Sequence, residues 1–297
     1  MQSMRRIGLA TGVLTDYELN LVETQIVKTV RPLLVGRQLM PIRNLPHAGF
    51  TKYTFYNESD MGQATISMTG EEPSKDKVDL TEDHVKIPII SKDYVLHWRD
   101  VLARRNQGED LNTQHAENAA RQVAEEEDRL ILTGETLAGA IWPALGIEGL
   151  CTATGNLGQA SAGVWPANST VDVAAAKQQL RAGGYYGPYK LIVRSAWYAT
   201  LEALIATTEK WYFQAVGELI GGVENILVSD NLYSAAGLTT SALLLDVQPG
   251  NFELLVGADI SNYSLQNDAM NYECKVWEAV VPVIKRPASI CEITGLT

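Results

Sequence analysis

The sequence predicts mixed helical and extended structure, α+β overall, on three observations. Residues 112–134, "NTQHAENAARQVAEEEDRLILTG", have the periodicity of one long charged helix. From Phe50 to Leu96 the hydrophobic period changes from helical to extended. Beyond Gly149 short helices and strands alternate, which leaves α/β and α+β both open for that part.

Composition bounds the function. The 297 residues, 46% hydrophobic, suffice for one large or two ordinary domains with a substantial core. A formal net charge of -11 is the opposite of the basic footprint that neutralises phosphates, so a broad nucleic-acid face is not expected. The opening "MQSMRRIGLATGVLTDYE" is too weakly apolar for a signal peptide, and no segment approaches the ~18 apolar residues of a membrane span. A soluble, intracellular protein is expected. Cys151, Cys274 and Cys291 are odd in number and lack metal-ligand spacing, which predicts three reduced thiols. Without secretion, the sequons at Asn168 and Asn262 carry no meaning.

Taken in order, Thr15 and Glu18 form a capping box, which starts a helix near Asp16. Leu19, Val22, Ile26 and Val30 follow as one apolar stripe, and Pro32 sets the end. Next, "FTKYTFYN", "QATISM" and "HVKIPIIS" read as strands, with Val85, Ile87 and Ile89 on one side. The polar "TGEEPSKDKVD" makes them a long hairpin with a charged tip. A two-stranded ribbon is marginal alone in water, so this one leans on a neighbouring domain or subunit, or else belongs to an ordinary sheet of its own chain.

The long helix can be capped by Asp110 or Asn112 and stopped by Gly134. Ala116, Ala119, Ala120, Val123, Glu127, Leu130 and Ile131 share a face, small residues early and large ones late. Glu125, Glu126, Glu127 and Asp128 fan around the helix, three of the four facing solvent, and so predict a solvated surface rather than chemistry. "CTATGNLGQASAGVWPANST" reads as an irregular loop. "VDVAAAKQQLRAGG" and "AWYATLEALIA" read as helices, and "GPYKLIVRS", "GVENILVSDNL", "SALLLDV" and "NFELLVGAD" as strands. The C-terminal "MNYECKVWEAVVPVIKRPASICEI" holds two further extended runs, with Pro282 and Pro287 at edges or bends.

No chemistry surfaces. His47, His84, His97 and His115 have neither metal-ligand spacing nor a neighbouring nucleophile motif. Gly183-Gly184 and Gly221-Gly222 match no phosphate-cradling loop. Trp197, Tyr198, Trp211, Tyr212 and Phe213 lack an accompanying basic cluster and read as core or interface.

Four segments in order resemble the signature segments of encapsulins: "LNTQHAENAARQVAEEEDRLILTGE" followed by "GIEGL", then "GPYKLIVRSAWYATLEAL", then "NFELLVGADISNYSLQNDAMNYECKVWEAVVPVIKRPASICEI". "LTDYELNLVETQIVKTVRPLLVGRQLMPI" is similar to the encapsulin opening helix, so the likeness covers nearly the whole chain. The resemblance implies the Hong Kong 97-type capsid fold of tailed-phage major capsid proteins. Residues 1–45 would be the N-terminal arm and helix, 46–95 the extended loop across a neighbour, 96–150 with 258–297 the peripheral domain around its spine helix, and 151–257 the axial domain. It also implies a pore loop, Thr207, Thr208, Glu209, Lys210, Trp211, Tyr212, Phe213 and Gln214, and cargo-peptide docking at Leu19, Val22 and Ile26, unless that stripe packs only on the spine helix.

The expected function is a self-assembling icosahedral shell subunit that encloses a cargo protein in the cytoplasm. Its partners are copies of itself, as pentamers and in larger shells hexamers, with no membrane, cofactor, metal or catalytic step. The loop 151–170 and "TLAGAIWPAL" are longer than in typical encapsulins, which keeps a second reading, a tailed-virus or prophage capsid holding DNA with scaffold and portal proteins in a virion. A third reading is a soluble α/β enzyme whose scattered site leaves no local signature.

Overall fold

The computed structural model of the chain describes residues 14–30, 35–47, 49–58, 61, 66, 68, 77–107, 110–111, 113–135, 145–206, 208–232 and 241–296. Its elements run α1 (Asp16–Val30), α2 (Gly36–Leu39), β1 (Ile42–Asn44), β2 (Lys52–Glu58), β3 (Leu80–Lys86), β4 (Ile89–Leu96), α3 (Trp98–Gln107) and α4 (Gln114–Thr133). They continue β5 (Leu157–Ala160), α5 (Ser169–Ala182), β6 (Tyr189–Val193), α6 (Ser195–Leu201), α7 (Tyr212–Ile220), β7 (Ile226–Val228), β8 (Ser241–Asp246), β9 (Phe252–Gln266), β10 (Tyr272–Ile284) and β11 (Ile290–Thr294). Pro32, Asn112, most of "QATISM", the hairpin tip at 69–76 and residues 136–144 lie outside the described residues.

Local signals set the helix ends. The Thr15 amide donates to Glu18 Oε2 at 2.9 Å and the Glu18 amide to Thr15 Oγ1 at 3.4 Å, the reciprocal pairing of a capping box. At α4 the N-cap is Thr113 rather than Asp110, and its hydroxyl donates to Glu117 at 2.7 Å instead of capping an amide. Gly134 ends α4 at φ 61°, the region that favours glycine.

The strands form three sheets. Four strands lie in the order β1-β9-β10-β4, five in the order β5-β11-β8-β6-β7, and β2 with β3 stands as a ribbon of its own. Helices α1 and α4 pack on the four-stranded sheet: Val22, Ile26 and Val30 meet Ala116, Ala119, Ala120 and Val123, with Cys274 and Val276 of β10 beneath. The alanines permit close approach of the two helices. A second core, with Leu39, Ile131, Leu132, Leu150, Leu243, Leu245, Phe252 and Leu254, joins α4 to both larger sheets. The third, under α5 and α7, belongs to the five-stranded sheet.

Several expectations need correction. The segment 151–170 is not all irregular loop, since Leu157–Ala160 is β5, paired with β11, and Ser169 opens α5. "HVKIPIIS" is two strands in two sheets, because Pro88 lacks an N–H to continue one ladder: β3 pairs β2, whereas β4 pairs β10. Ile90, not Ile89, turns inward as a result, and Ile89 is 64% exposed. The C-terminal segment does not stay together either. β9 pairs with β1 and β10, and β10 also with β4, but β11 crosses to lie between β5 and β8, since Ile290, Cys291 and Ile293 are buried in the cores of the five-stranded sheet. Two of the four acidic residues at 125–128 are buried rather than one: Glu127 at 0% and Asp128 at 4% exposure. Finally, the second half of "TTEKWYFQ" is not loop, because Tyr212, Phe213 and Gln214 open α7. Pro282 sits past Ala279↔Ile89, the last rung that β4 makes with β10, so no ladder bond misses its N–H on that side.

Candidate functional site

Three surfaces bear the residues singled out in the sequence, and one buried charge cluster was missed. On α1, Glu18 is clamped from α3 by Arg105, whose Nε and Nη2 donate to its two carboxylate oxygens at 2.7 and 2.6 Å. Burial raises the Glu18 pKa, but the Arg105 and Thr15 bonds outweigh it and hold the carboxylate below its ordinary range. Val22 and Ile26 are each 1% exposed and Leu19 is half-buried. The stripe therefore packs on α4, and of the three residues only Leu19 is reachable from outside. Docking through Val22 and Ile26 is corrected accordingly: each fills a core site that the α4 alanines leave open. Ile26→Ala is expected to cost about 2–5 kcal/mol, read as a lowered urea midpoint, because it leaves a cavity between two helices.

The ribbon β2–β3 pairs antiparallel over seven rungs, from Lys52↔Lys86 to Glu58↔Leu80. Alternation gives it two faces. Phe55 on one face is buried against Leu130, Ile147, Leu255, Val281 and Val283, with Tyr53 and Val85 beside it. Tyr56 and Leu80 on the other are 60% and 63% exposed. The ribbon is thus anchored along one face, and the face with Tyr56 and Leu80 has no cover among the described residues.

In the five-stranded unit, the segment before α7 is a compact turn. Leu204 bridges Trp211, the Ile205 amide donates to the Lys210 carbonyl at 3.0 Å, and Lys210 pairs with Glu218 at 2.8 Å. Thr207 lies outside the described residues, while Thr208 and Glu209 are exposed in the turn. Trp211 stands half out of it with its ring 6.2 Å from that of Phe213. Trp197, Tyr198, Tyr212 and Phe213 pack against the third core.

Beneath α4 lies a cluster the sequence did not suggest. Arg37, 16% exposed, reaches three carboxylates from three elements: Nε to Glu127 of α4 at 2.7 Å, Nη1 to Asp259 of β9 at 2.7 Å and Nη2 to Glu278 of β10 at 3.1 Å. Asp128 accepts from the amides of Val35 and Gly36 at 3.3 and 2.8 Å, which fixes the start of α2 beside them. Burial pushes Asp128 up to about 6 despite those two bonds. A detectable signal existed for Glu278, which continues the inward alternation of Tyr272, Cys274 and Val276 along β10.

Among the described residues no group of three or more His, Cys, Asp and Glu is arranged to hold a metal ion, and no helix is long and apolar enough to cross a membrane. Cys151, Cys274 and Cys291 are buried and unpaired with one another. The surfaces in view are suited to contact with other chains, and sequence comparison decides which kind. A family model described as the encapsulating protein for peroxidase matches residues 13–281. The chain belongs to this encapsulin family.

Encapsulins of this family are structural shell proteins. The chain is 27% identical over 292 residues to the type 1 encapsulin shell protein EncA of Myxococcus xanthus, covering 97% of this chain and 96% of that one. Its fold is the Hong Kong 97-type capsid fold. It superposes on the virus-like particle from Pyrococcus furiosus with a TM-score of 0.65 at 16% identity, covering 94% of this chain and all of that one. The capsid of Myoviridae phage XM1 gives a TM-score of 0.63 at 12% identity, covering 100% and 99%.

Proposed function

We propose that this encapsulin builds a closed cytoplasmic icosahedral shell from copies of itself and encloses a cargo protein. The observation that carries the reading is the family match from residue 13 to residue 281, end to end with a shell protein of nearly equal coverage. The physical surfaces support it. The uncovered ribbon face with Tyr56 and Leu80 offers apolar contact to a neighbouring subunit, and many modest interfaces of this kind add up to a stable closed particle.

In this reading the four-stranded sheet with α1, α3 and α4 is the peripheral domain and α4 its spine. The five-stranded sheet with α5, α6, α7 and β11 is the axial domain, which puts the turn 204–211, with the first turn of α7, at a fivefold axis of pentamers. Cargo contact on α1 falls to Leu19 and the exposed side of that helix, where Tyr17 and Val27 lie, rather than to Val22 and Ile26.

Negative-stain electron microscopy of the purified protein, with absorbance at 260 and 280 nm on the particle fraction, tests it. Uniform closed shells with a protein-like ratio are expected. Particles carrying nucleic acid would replace the compartment with a genome-holding capsid, and small oligomers across several buffers would overturn the shell altogether.

A further inference from the structure

The cluster around Arg37 has more negative than positive charge, and two of its three carboxylates, Glu127 and Glu278, are buried while Asp259 is exposed. Glu127 and Glu278 are both fully buried, and their carboxyl groups meet on one guanidinium, at Nε and Nη2 of Arg37, 2.7 and 3.1 Å away. Each spends one oxygen on Arg37. Their other oxygens, Glu127 Oε2 and Glu278 Oε1, have no donor among the described residues. Two carboxylates cannot face one another in a dry interior as anions without a proton between them.

The backbone is shaped to create this meeting. Between the rungs Trp277↔Ser261 and Ala279↔Ala258 the register skips Asp259 and Ile260 on β9 against Glu278 on β10. That bulge brings Asp259 and Glu278 to one guanidinium. The charged groups acting on the pair among the described residues are Arg37 of α2, which attracts, Asp259 of β9, which repels, and Asp128, next to Glu127 on α4, whose carboxyl and that of Glu127 repel each other; β4 places Ile90 opposite Glu278.

We propose that Glu127 and Glu278 hold one proton between them at neutral pH, and that this shared proton is a latch joining α4 to β10 which alkaline conditions open. With the proton in place, one negative charge of the pair and that of Asp259 answer Arg37. Without it, two carboxylates oppose each other across the seam between the long helix and the sheet. Burial, then the Glu127 charge, push Glu278 up to about 9, and burial raises Glu127 as well. A carboxyl raised in the folded state stabilises most below its ordinary range. That contribution declines as pH climbs from about 4.5 toward about 9, by about tenfold in the folding equilibrium per pH unit for one proton. The latch is a property of the subunit and does not depend on what the shell encloses.

The test compares the intact protein with Glu278→Gln, which keeps the shape of the protonated acid and cannot lose a proton. The unfolding midpoint of the purified wild-type protein should fall steadily between about pH 7 and about pH 8.5, a window above the titration of Asp128 near 6 and below the ordinary thiol range from which burial pushes Cys274 and Cys291 up. In Glu278→Gln this one-proton decline should disappear. Parallel decline in both proteins overturns the latch. Should the variant fail to fold, infrared spectroscopy of the wild-type protein decides: a carboxylic-acid C=O band at about pH 7 that vanishes by about pH 10 is expected, and its absence at about pH 7 overturns the proposal.

Discussion

Arg37→Met is expected to cost about 3–5 kcal/mol per subunit, the scale for stripping one partner from a buried ion network. The guanidinium is the single cation that the described structure sets among Glu127, Asp259 and Glu278, and each of its three bonding nitrogens serves a different element. Its loss leaves Glu127 buried at 0% exposure with nothing to balance its charge. The cost arises from the stranded carboxylates more than from the missing bonds, and that distinction can be measured. Arg37→Met combined with Glu127→Gln and Glu278→Gln should recover most of the loss, since neutral groups tolerate burial far better. Arg37→Lys should fall between, because an ammonium is a point charge that cannot match three carboxylates at fixed angles. Urea midpoints of the four proteins give the comparison. A triple variant no better than Arg37→Met would mean that the side chain matters for packing alone.

What could be read from the sequence was what neighbours in the chain decide. The Thr15–Glu18 box, the alanine face of α4 and the stop at Gly134 all rest on residues within a few positions of each other. The family signature was legible for a different reason, since it lies in ordered segments along nearly the whole chain. The Arg37 cluster was illegible because its partners stand 90, 222 and 241 residues away, and no periodicity spans such distances. The apolar stripe of α1 shows the same limit. Spacing reveals that Val22 and Ile26 need cover, but whether a cargo peptide or α4 supplies it is a tertiary fact, and α4 supplies it. Helix α7 was missed because its opening, Tyr212 and Phe213, has the aromatic character of a strand or loop contact, whereas the Gln214 side chain accepting from the Trp211 amide at 3.3 Å starts a helix there. The crossing of β11 could not be foreseen either, since "ICEI" is as apolar as its neighbours and only the open edge of β8 explains its place.

Gly149→Ala is expected to be as damaging as the loss of Arg37, about 3–5 kcal/mol, by a mechanism without charge. The last four carbonyls of a helix lack partners within it, and at α4 each finds one in the chain that follows. Leu130 accepts from the Gly134 amide at 3.0 Å, Ile131 from Leu150 at 2.9 Å, Leu132 from Cys151 at 2.7 Å and Thr133 from the Thr152 hydroxyl at 3.0 Å. This clasp requires residues 149–152 to lie directly on the end of the helix. A methyl group on Gly149 would drive into the Gly134 nitrogen and sit 2.5 Å from the Thr133 carbonyl carbon, both backbone atoms that have nowhere to go. Leu150 and Cys151 would be forced off their carbonyls, and both belong to the core that ties α4 to the five-stranded sheet. Amide hydrogen exchange at Leu150 and Cys151 should accelerate along with the fall in urea midpoint. The contrasting variant is Gly146→Ala, where φ is 71° but no atom of the described residues lies within 4 Å of the added carbon. It should cost only the left-handed penalty of about 1–2 kcal/mol. Equal losses at the two positions would mean that small shifts relieve the contact with the end of α4, since Gly149, unlike Gly146, does not take a left-handed φ.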